Sequence, residues 1–303
     1  MKKIIIFAIV TAFLAASCQR EDIGSHADEV TVSLSLELPE ALHTKAMSNA
    51  ESTDIVYYEI WDSNWDKQLY PAASATVSNK QAQIELKLVK SLTYNFIFWA
   101  QNSACGAYDT ADLKKVEVDY TVMAAKGNSD KFDAFFSVDT IAVNGPINQT
   151  VTLERPFAQI NFGANAMQTM FGDIVVENTE VTVSHLATVF NTINGCGETQ
   201  TAAPVTFSAT GLATDEILKT NNAEYTWVAM DYALMMSESD NVEVTGTFHL
   251  EGAEYPVMHN IPGVPLKKNH RTNIVGDLFT SDATLNIYVD QAFGEPDEVV
   301  PAL

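Results

Sequence analysis

The chain has 303 residues, enough for about two domains of ordinary size, and 47% of its residues are hydrophobic. Its 17 basic and 39 acidic residues give a formal net charge of −22, which repels nucleic acid and anionic lipid surfaces. The composition is that of a globular protein, and the charge argues against nucleic acid as a partner.

The first 17 residues have the order of a secretory signal peptide. Lys2 and Lys3 precede an apolar or small-residue run at 4–16, which is too short to cross a bilayer of ~30 Å as a helix. The run ends in Leu-Ala-Ala-Ser-Cys, the pattern of bacterial lipoproteins in which Cys18 is acylated, for example with palmitate, and becomes the new N-terminus. An ordinary signal peptide followed by a chance cysteine is the alternative.

A strand is predicted at residues 30–38, where apolar and polar side chains alternate. The period of two places five aliphatic side chains on one face, and Pro39 ends the strand because it has no N–H to donate. The five are Val30, Val32, Leu34, Leu36 and Leu38.

Similar alternation predicts further short strands along the chain. It recurs at 82–88, 94–98, 116–122, 151–153, 174–176, 181–183, 205–207, 242–244, 248–250 and 285–289. Helical periodicity is weak, and short helices are predicted only at 164–171 and 231–236. This pattern favours an all-β fold of sandwiches with Greek-key connections.

A boundary between two sandwiches is predicted at Asn144-Gly145-Pro146, because turn residues there separate two strand-like segments. The predicted units are 30–145 and 146–303. Residues 1–17 are the signal peptide, and residues 18–45 are a tether together with the first strand.

Catalytic and metal-binding motifs are absent, so we expect no enzyme and no cofactor. The spacing of Asp62, Asn64 and Asp66 begins like a calcium loop, but Lys67 replaces the required glycine, which favours an acidic turn. Tryptophans at 61, 65, 99 and 227 suggest either a sugar-stacking platform or core residues. Cys105 and Cys196 are either bridged or, as we favour, buried thiols.

Several segments together resemble the fimbrillin-like lipoproteins of Bacteroidales, the type V pilin superfamily. They are LAASC at 14–18, TKA at 44–46, DAFFS at 133–137, LERPFAQINF at 153–162 and NHRTNIVGDLFTSDATLNIYVDQAFGEPD at 269–297. The resemblance covers most of the chain and implies two transthyretin-like β-sandwiches in tandem. It also implies a structural or tip subunit of a fimbrium, at the outer membrane or the cell surface.

The resemblance further implies how such a subunit matures. A trypsin-like protease would cut between Lys45 and Ala46 and remove the first strand with its lipid, and a strand from another fimbrial subunit would refill the groove. Lys45 is the only Lys or Arg between Glu21 and Asp66, so the site is isolated. If Lys45 is a chance lysine that is never cut, the chain is a lipidated pilus anchor or a non-polymerising surface lipoprotein that binds a glycan or a host or bacterial ligand.

Two smaller expectations follow from the same resemblance. The strand that this chain would donate is either 284–289 or the tail with Val299, Val300 and Leu303, although Pro296 and Pro301 argue against a regular strand in the tail. Thr110 and Thr140, each after an aspartate and before an apolar residue, resemble Bacteroidales O-glycosylation sites.

Overall fold

The computed structural model describes residues 28–39, 49–165, 167–169, 172–280 and 283–292. Within these residues the chain is almost entirely β, which confirms the predicted all-β class. The tandem Greek-key arrangement and the transthyretin likeness of each unit stay predictions. No helix in the described part of the chain is long and apolar enough to cross a membrane.

The elements have the following bounds. The strands are β1 (Glu29–Glu37), β2 (Ile55–Asp62), β3 (Gln68–Thr76), β4 (Gln81–Val89), β5 (Leu92–Gln101), β6 (Tyr108–Asp109), β7 (Lys115–Val118), β8 (Phe135–Val143), β9 (Ile147–Thr152), β10 (Ala158–Ala164), β11 (Gln168–Thr169), β12 (Gly172–Asp173), β13 (Val176–Val183), β14 (Ala187–Asn191), β15 (Cys196–Gln200), β16 (Val205–Thr210), β17 (Ile217–Thr220), β18 (Ala223–Ala233), β19 (Ser239–Leu250), β20 (Val257–Lys267), β21 (His270–Gly276) and β22 (Leu285–Ala292). One short α-helix, α1, spans Tyr120–Ala124, and a 3-10 turn spans Asp130–Phe132.

The strands of the described residues form six sheets. Their orders are β4-β1-β9, β3-β2-β5-β8, β17-β18-β10-β21-β22, β16-β13-β19-β20, β15-β14-β7-β6 and β11-β12. Asn221 and Asn222 form the two-residue turn between the paired strands β17 and β18, and Asn79 and Lys80 form a similar turn between the bridged residues Ser78 and Gln81. All four have positive φ, as a type I′ turn requires.

The described part of the chain has two hydrophobic cores, and β5 contributes side chains to both. Tyr94, Phe96 and Phe98 belong to a first core with residues from β1, β2, β4, β8 and β9. Ile97 and Trp99 point to the opposite face and belong to a larger second core that extends to Leu278. The β3-β2-β5-β8 sheet is therefore the layer that the two cores share.

The strands cross the boundary that the sequence predicts at 145–146. After the boundary, β9 pairs with β1 and places Val151 in the first core. Before it, the segment from Cys105 to Ala134 packs in the second core, and β7 pairs with β14. A division into two independent domains stays a prediction.

Both predicted helices are wrong, and α1 lies where a strand is expected. Residues 164–171 include the end of β10 and the short strand β11, and residues 231–236 begin with the end of β18. In the alternating segment 116–122, the strand β7 ends at Val118 and α1 begins at Tyr120. Asp119 N-caps α1, because its carboxylate accepts a hydrogen bond from the Thr121 backbone N–H at 2.8 Å.

Candidate functional site

The predicted removable strand, β1, lies in the middle of its sheet. Nine residue pairs join it to β4 in antiparallel register, from Glu29–Val89 to Glu37–Gln81. On its other side it runs parallel to β9, from Val32–Ile147 to Glu37–Thr152. If β1 left, β4 and β9 would each lose the only partner strand that they have among the described residues.

The inward face of β1 is deeply buried. Val32 and Leu34 are 0% exposed, Leu36 is 2% exposed, and Leu38, just beyond the strand, is 5% exposed. Val30, the fifth predicted residue, is half-buried against the same core. Burying four such aliphatic side chains contributes on the order of 6 to 12 kcal/mol, at about 1.5 to 3 kcal/mol each. The core over β1 therefore depends on these side chains or on an equivalent set.

The outward face of β1 contacts a row of polar side chains on β4. The Gln83 amide donates to Ser35 Oγ at 2.8 Å, the Gln81 amide donates to Glu37 Oε1 at 3.3 Å, and Lys87 Nζ donates to Thr31 Oγ1. The donors are exposed, and the β1 residues that they contact are half-buried. Each face of β1 thus has its own partners, apolar inside and polar outside.

The strand is also held at both ends. At its start, Lys90 donates its backbone N–H to the Asp28 carbonyl at 2.8 Å and its ammonium lies 3.8 Å from the Asp28 carboxylate. At its end, Leu38 donates to the Lys80 carbonyl and Leu153 donates to the Glu37 carbonyl, each at 2.9 Å. These contacts fix the register of β1 between its two neighbours.

The chain that follows β1 is anchored independently of it. The backbone N–H of Ala50, which is buried, donates to the carboxylate of Asp133. Arg155 holds the same carboxylate with two hydrogen bonds, at 2.7 Å from Nε and 2.8 Å from Nη2. Burial raises the pKa of Asp133, and the Arg155 guanidinium opposes that rise. Ser52 adds a hydrogen bond from its hydroxyl to the Asp130 carbonyl at 2.7 Å.

This anchor gives Arg155 a physical role. It is the arginine of the mid-chain Arg-Pro-Phe-Ala-Gln-Ile segment, and its guanidinium also lies over the Phe135 ring at 4.6 Å. The side chain is 2% exposed, so the ion pair with Asp133 lies inside the protein. The sequence singles out the segment but does not reveal that Asp133 is the partner.

Two of the sequence-predicted sites, the lipidation site and the protease site, cannot be placed. Cys18, Lys45 and Ala46 lie outside the described residues. The interval 40–48, which contains Lys45, separates β1 and its flanking Pro39 from the anchored stretch at Asn49 and Ala50. The predicted cut and the anchor are thus adjacent in the sequence.

The predicted glycosylation sites are in different settings. Thr110 follows β6 and is half-buried, while the neighbouring Asp109 carboxylate accepts from the Ala111 N–H at 3.0 Å. Thr140 is exposed on β8, and its hydroxyl donates to Asn95 Oδ1 at 2.7 Å.

The tryptophans do not form one platform. Trp99 and Trp227 are 0% and 1% exposed in the second core. Trp61 is half-buried, with its N–H donated to Glu59 at 2.9 Å and the Lys114 ammonium 3.3 Å from its ring centroid. A sugar platform of all four side chains is therefore wrong.

The other candidates from the sequence are accounted for by local structure. Asp62 accepts from the Asp66 and Lys67 N–H groups at 2.8 and 3.2 Å, so it caps the turn between β2 and β3. Cys105 is buried and Cys196 is half-buried, and both are free thiols. Among the described residues no group of three or more His, Cys, Asp or Glu side chains could hold a metal ion.

Comparisons with known proteins add a family and a fold. Residues 24–301 match a family of unknown function (DUF6562). No curated protein matches the chain.

Solved structures from Bacteroidales are similar along most of the chain. The tip fimbrial protein Mfa3 from Porphyromonas gingivalis, with a C-terminal truncation, has a TM-score of 0.50 at 9% identity, over 86% of this chain and 99% of that one. A protein proposed to be an adhesin from Bacteroides thetaiotaomicron has a TM-score of 0.50 at 13% identity, over 87% and 97%. A fimbrial assembly protein from Parabacteroides distasonis has 16% identity over 87% and 96%, with a TM-score of 0.43. At these identities the likeness shows the fold, and at that level the predicted resemblance to fimbrillin-like proteins is confirmed.

Proposed function

We propose that this chain, which belongs to the DUF6562 family of unknown function, is a fimbrial subunit at the cell surface that accepts a strand from another subunit. In this proposal it is exported as a lipoprotein through Cys18, and a trypsin-like protease cuts between Lys45 and Ala46. Residues 18–45 then leave, and a donor strand takes the position of β1.

The observation that carries the proposal is the position of β1. It is the first of the described strands, yet it lies between two strands that come later in the chain, β4 and β9. One cut between β1 and β2 would free it, whereas the release of an inner strand needs two cuts. Its departure would expose an apolar groove between two unpaired strand edges, which is a strong site for strand addition.

The side of the first core opposite β1, the β3-β2-β5-β8 sheet, would keep its own contacts after such a cut. Ala50 is fixed by the Asp133–Arg155 pair, and Asp54 at the start of β2 accepts from the Ser103 N–H and hydroxyl at 2.7 and 2.8 Å. The β3-β2-β5-β8 sheet also packs against the second core on its opposite face. This side of the groove is therefore supported without β1, whereas β4 and β9, which pair with no other described strand, would be held by their packing against it.

The strand β22 is one of the two segments proposed as the strand that this chain would donate. This strand already pairs with β21, and its Asp290 accepts from Thr220 Oγ1 and the Asn273 amide, each at 2.6 Å. Donation of β22 would break that pairing, and the alternative, the tail after residue 292, lies outside the described residues. The proposal therefore assigns the chain an accepting role.

A protease-site variant tests the proposal. Lys45→Gln should leave the chain uncut and abolish polymers that resist dissociation in unheated gel samples, whereas Lys126→Gln, a change of an exposed lysine outside β1, should not. Polymers of normal length from the Lys45→Gln chain would reject the maturation step. If both variants stay uncut and monomeric, the chain is the lipidated anchor or the ligand-binding lipoprotein instead.

A further inference from the structure

The outer rim of the β1 position carries charges in a fixed order. On β4 the exposed side chains Gln81, Gln83, Glu85 and Lys87 point to the same side of the sheet as the outward residues of β1. The register places Lys87 opposite Thr31 and Glu85 opposite Ser33. Opposite residues in an antiparallel pair have Cβ atoms about 4.5 to 5.5 Å apart, close enough for direct interaction.

The other rim, on β9, is polar and uncharged. Asn148, Thr150 and Thr152 are exposed and lie beside Ser33, Ser35 and Glu37. The charges that face an occupant from the two flanking strands are therefore those of Lys87 and Glu85, in that order along the strand. Neither forms an ion pair within the described residues, so both charges are available to an occupant.

We infer that this rim selects the donor strand by charge: the partner carries a hydrogen-bond acceptor or an acid opposite Lys87 and no acid opposite Glu85. The inference rests on the proposed function and specifies its partner. Thr31 and Ser33 of β1 already satisfy this rule, because Thr31 accepts from Lys87 and Ser33 brings no charge to Glu85.

The inward face cannot provide this selection alone. Its positions accept aliphatic side chains at every second residue, a pattern that β-strands share widely. Discrimination between partners of equal apolar content needs an unfavourable contact for the wrong one. Two carboxylates directly opposite each other on neighbouring strands supply such a contact at Glu85, and two ammonium groups supply it at Lys87.

Two isomeric peptides test the inference. Both span residues 28–39; one carries Thr31→Glu with Ser33→Lys, and the other carries Thr31→Lys with Ser33→Glu. They have the same composition and the same net charge, so the overall negative charge of the chain affects both equally. The first places each charge opposite its complement on β4, and the second places each charge opposite its like.

The receiving protein is the full chain with a site for a sequence-specific protease introduced within residues 40–48. It is cut while folded, and the resident strand is released in mild denaturant in the presence of a fluorescent peptide. We expect the first isomer to bind about tenfold more tightly than the second, and this preference to shrink at high salt. In a receiving protein that carries Glu85→Lys and Lys87→Glu, the preference between the two peptides should reverse.

The outcomes separate this inference from the proposed function. Equal binding of the two isomers, or a preference that does not reverse in the charge-swapped receiving protein, would overturn charge selection and leave strand exchange standing. If neither isomer binds, while the unmodified 28–39 peptide does, the rim rejects any charge and the inference is again overturned. If the unmodified peptide does not bind either, the position is not exchangeable and the proposed function fails.

Discussion

Leu34 is the side chain whose loss tests the packing of β1 most directly. It is central in the strand and 0% exposed, and it pairs with Ile84 on β4 and Gln149 on β9. Leu34→Ala removes three carbon atoms, at about 0.8 kcal/mol each, and leaves a cavity in the first core. The expected loss in the free energy of unfolding is about 3 kcal/mol, within the range of about 2 to 5 kcal/mol for buried leucines.

Urea unfolding of the intact chain measures this loss. With a slope of about 2 kcal/mol per molar urea, the midpoint of the transition that reports on the first core should fall by more than 1 M. Ser35→Ala is the matched control. Ser35 follows Leu34 in the strand, faces outward and accepts one hydrogen bond from Gln83, so the free energy of unfolding should change by no more than about 1 kcal/mol. Equal midpoints for the two variants would refute the packing of β1 in the core.

Three further predictions concern the anchor, a buried acid and the surface. Arg155→Met should destabilise the fold by about 3 to 5 kcal/mol, because it leaves the Asp133 carboxylate buried without its ion-pair partner. Adding Asp133→Asn, which removes the buried charge and keeps an oxygen acceptor for the Ala50 N–H, should restore part of the loss in urea unfolding. An unchanged midpoint for the single variant would contradict the anchor. Burial raises the pKa of Asp231 well above its usual range, so the folded state keeps a proton that the unfolded state releases as the pH rises above about 4. The free energy of unfolding therefore falls with rising pH up to the folded pKa and stays lower above it. Asp231→Asn should raise the unfolding midpoint more near pH 7 than near pH 4, and an equal effect at both pH values would contradict this. If Thr110 and Thr140 are O-glycosylated in the native cell, the intact mass should exceed that of the bare polypeptide, and Thr110→Val together with Thr140→Val should remove the excess; a bare mass for the unaltered protein would dismiss both sites.

Strands with one exposed face could be predicted from the sequence. In β1 and β4 the inward side chains are aliphatic and the outward ones are polar, so the period of two is visible and the predicted bounds are close. The five inward residues of the β1 region were all assigned to one face, and the structure places all five in or against the first core. Their position follows from the physics of a half-buried strand.

Strands with two buried faces could not be predicted in this way. Every residue of β10 is buried, and so is the second half of β18, because residues of the second core lie on both faces of the sheet there. Gln159 and Asn161 lie on the same face of β10 and are 0% exposed, and the Asn161 amide donates to Asn273 at 2.8 Å. A sequence in which both faces are buried shows no alternation, and 231–236 therefore read as a helix.

The contacts between residues of the candidate site could not be predicted from the sequence either. The strand β1 was predicted, but its neighbours β4 and β9 follow it by about 50 and 115 residues, and strand pairing at that distance leaves no local pattern. The Asp133–Arg155 pair was missed for the same reason, although both residues lie in the segments that carry the family resemblance. Only the folded arrangement shows that these residues secure the chain just after the predicted cut.

The most direct test of the account is the N-terminal sequence and intact mass of the protein released from the cell surface, with and without an inhibitor of trypsin-like proteases. The account predicts a start at Ala46 without lipid in the untreated sample and an acylated Cys18 in the inhibited one. An acylated Cys18 in both samples would show that β1 is never removed, and it would contradict strand exchange at this position.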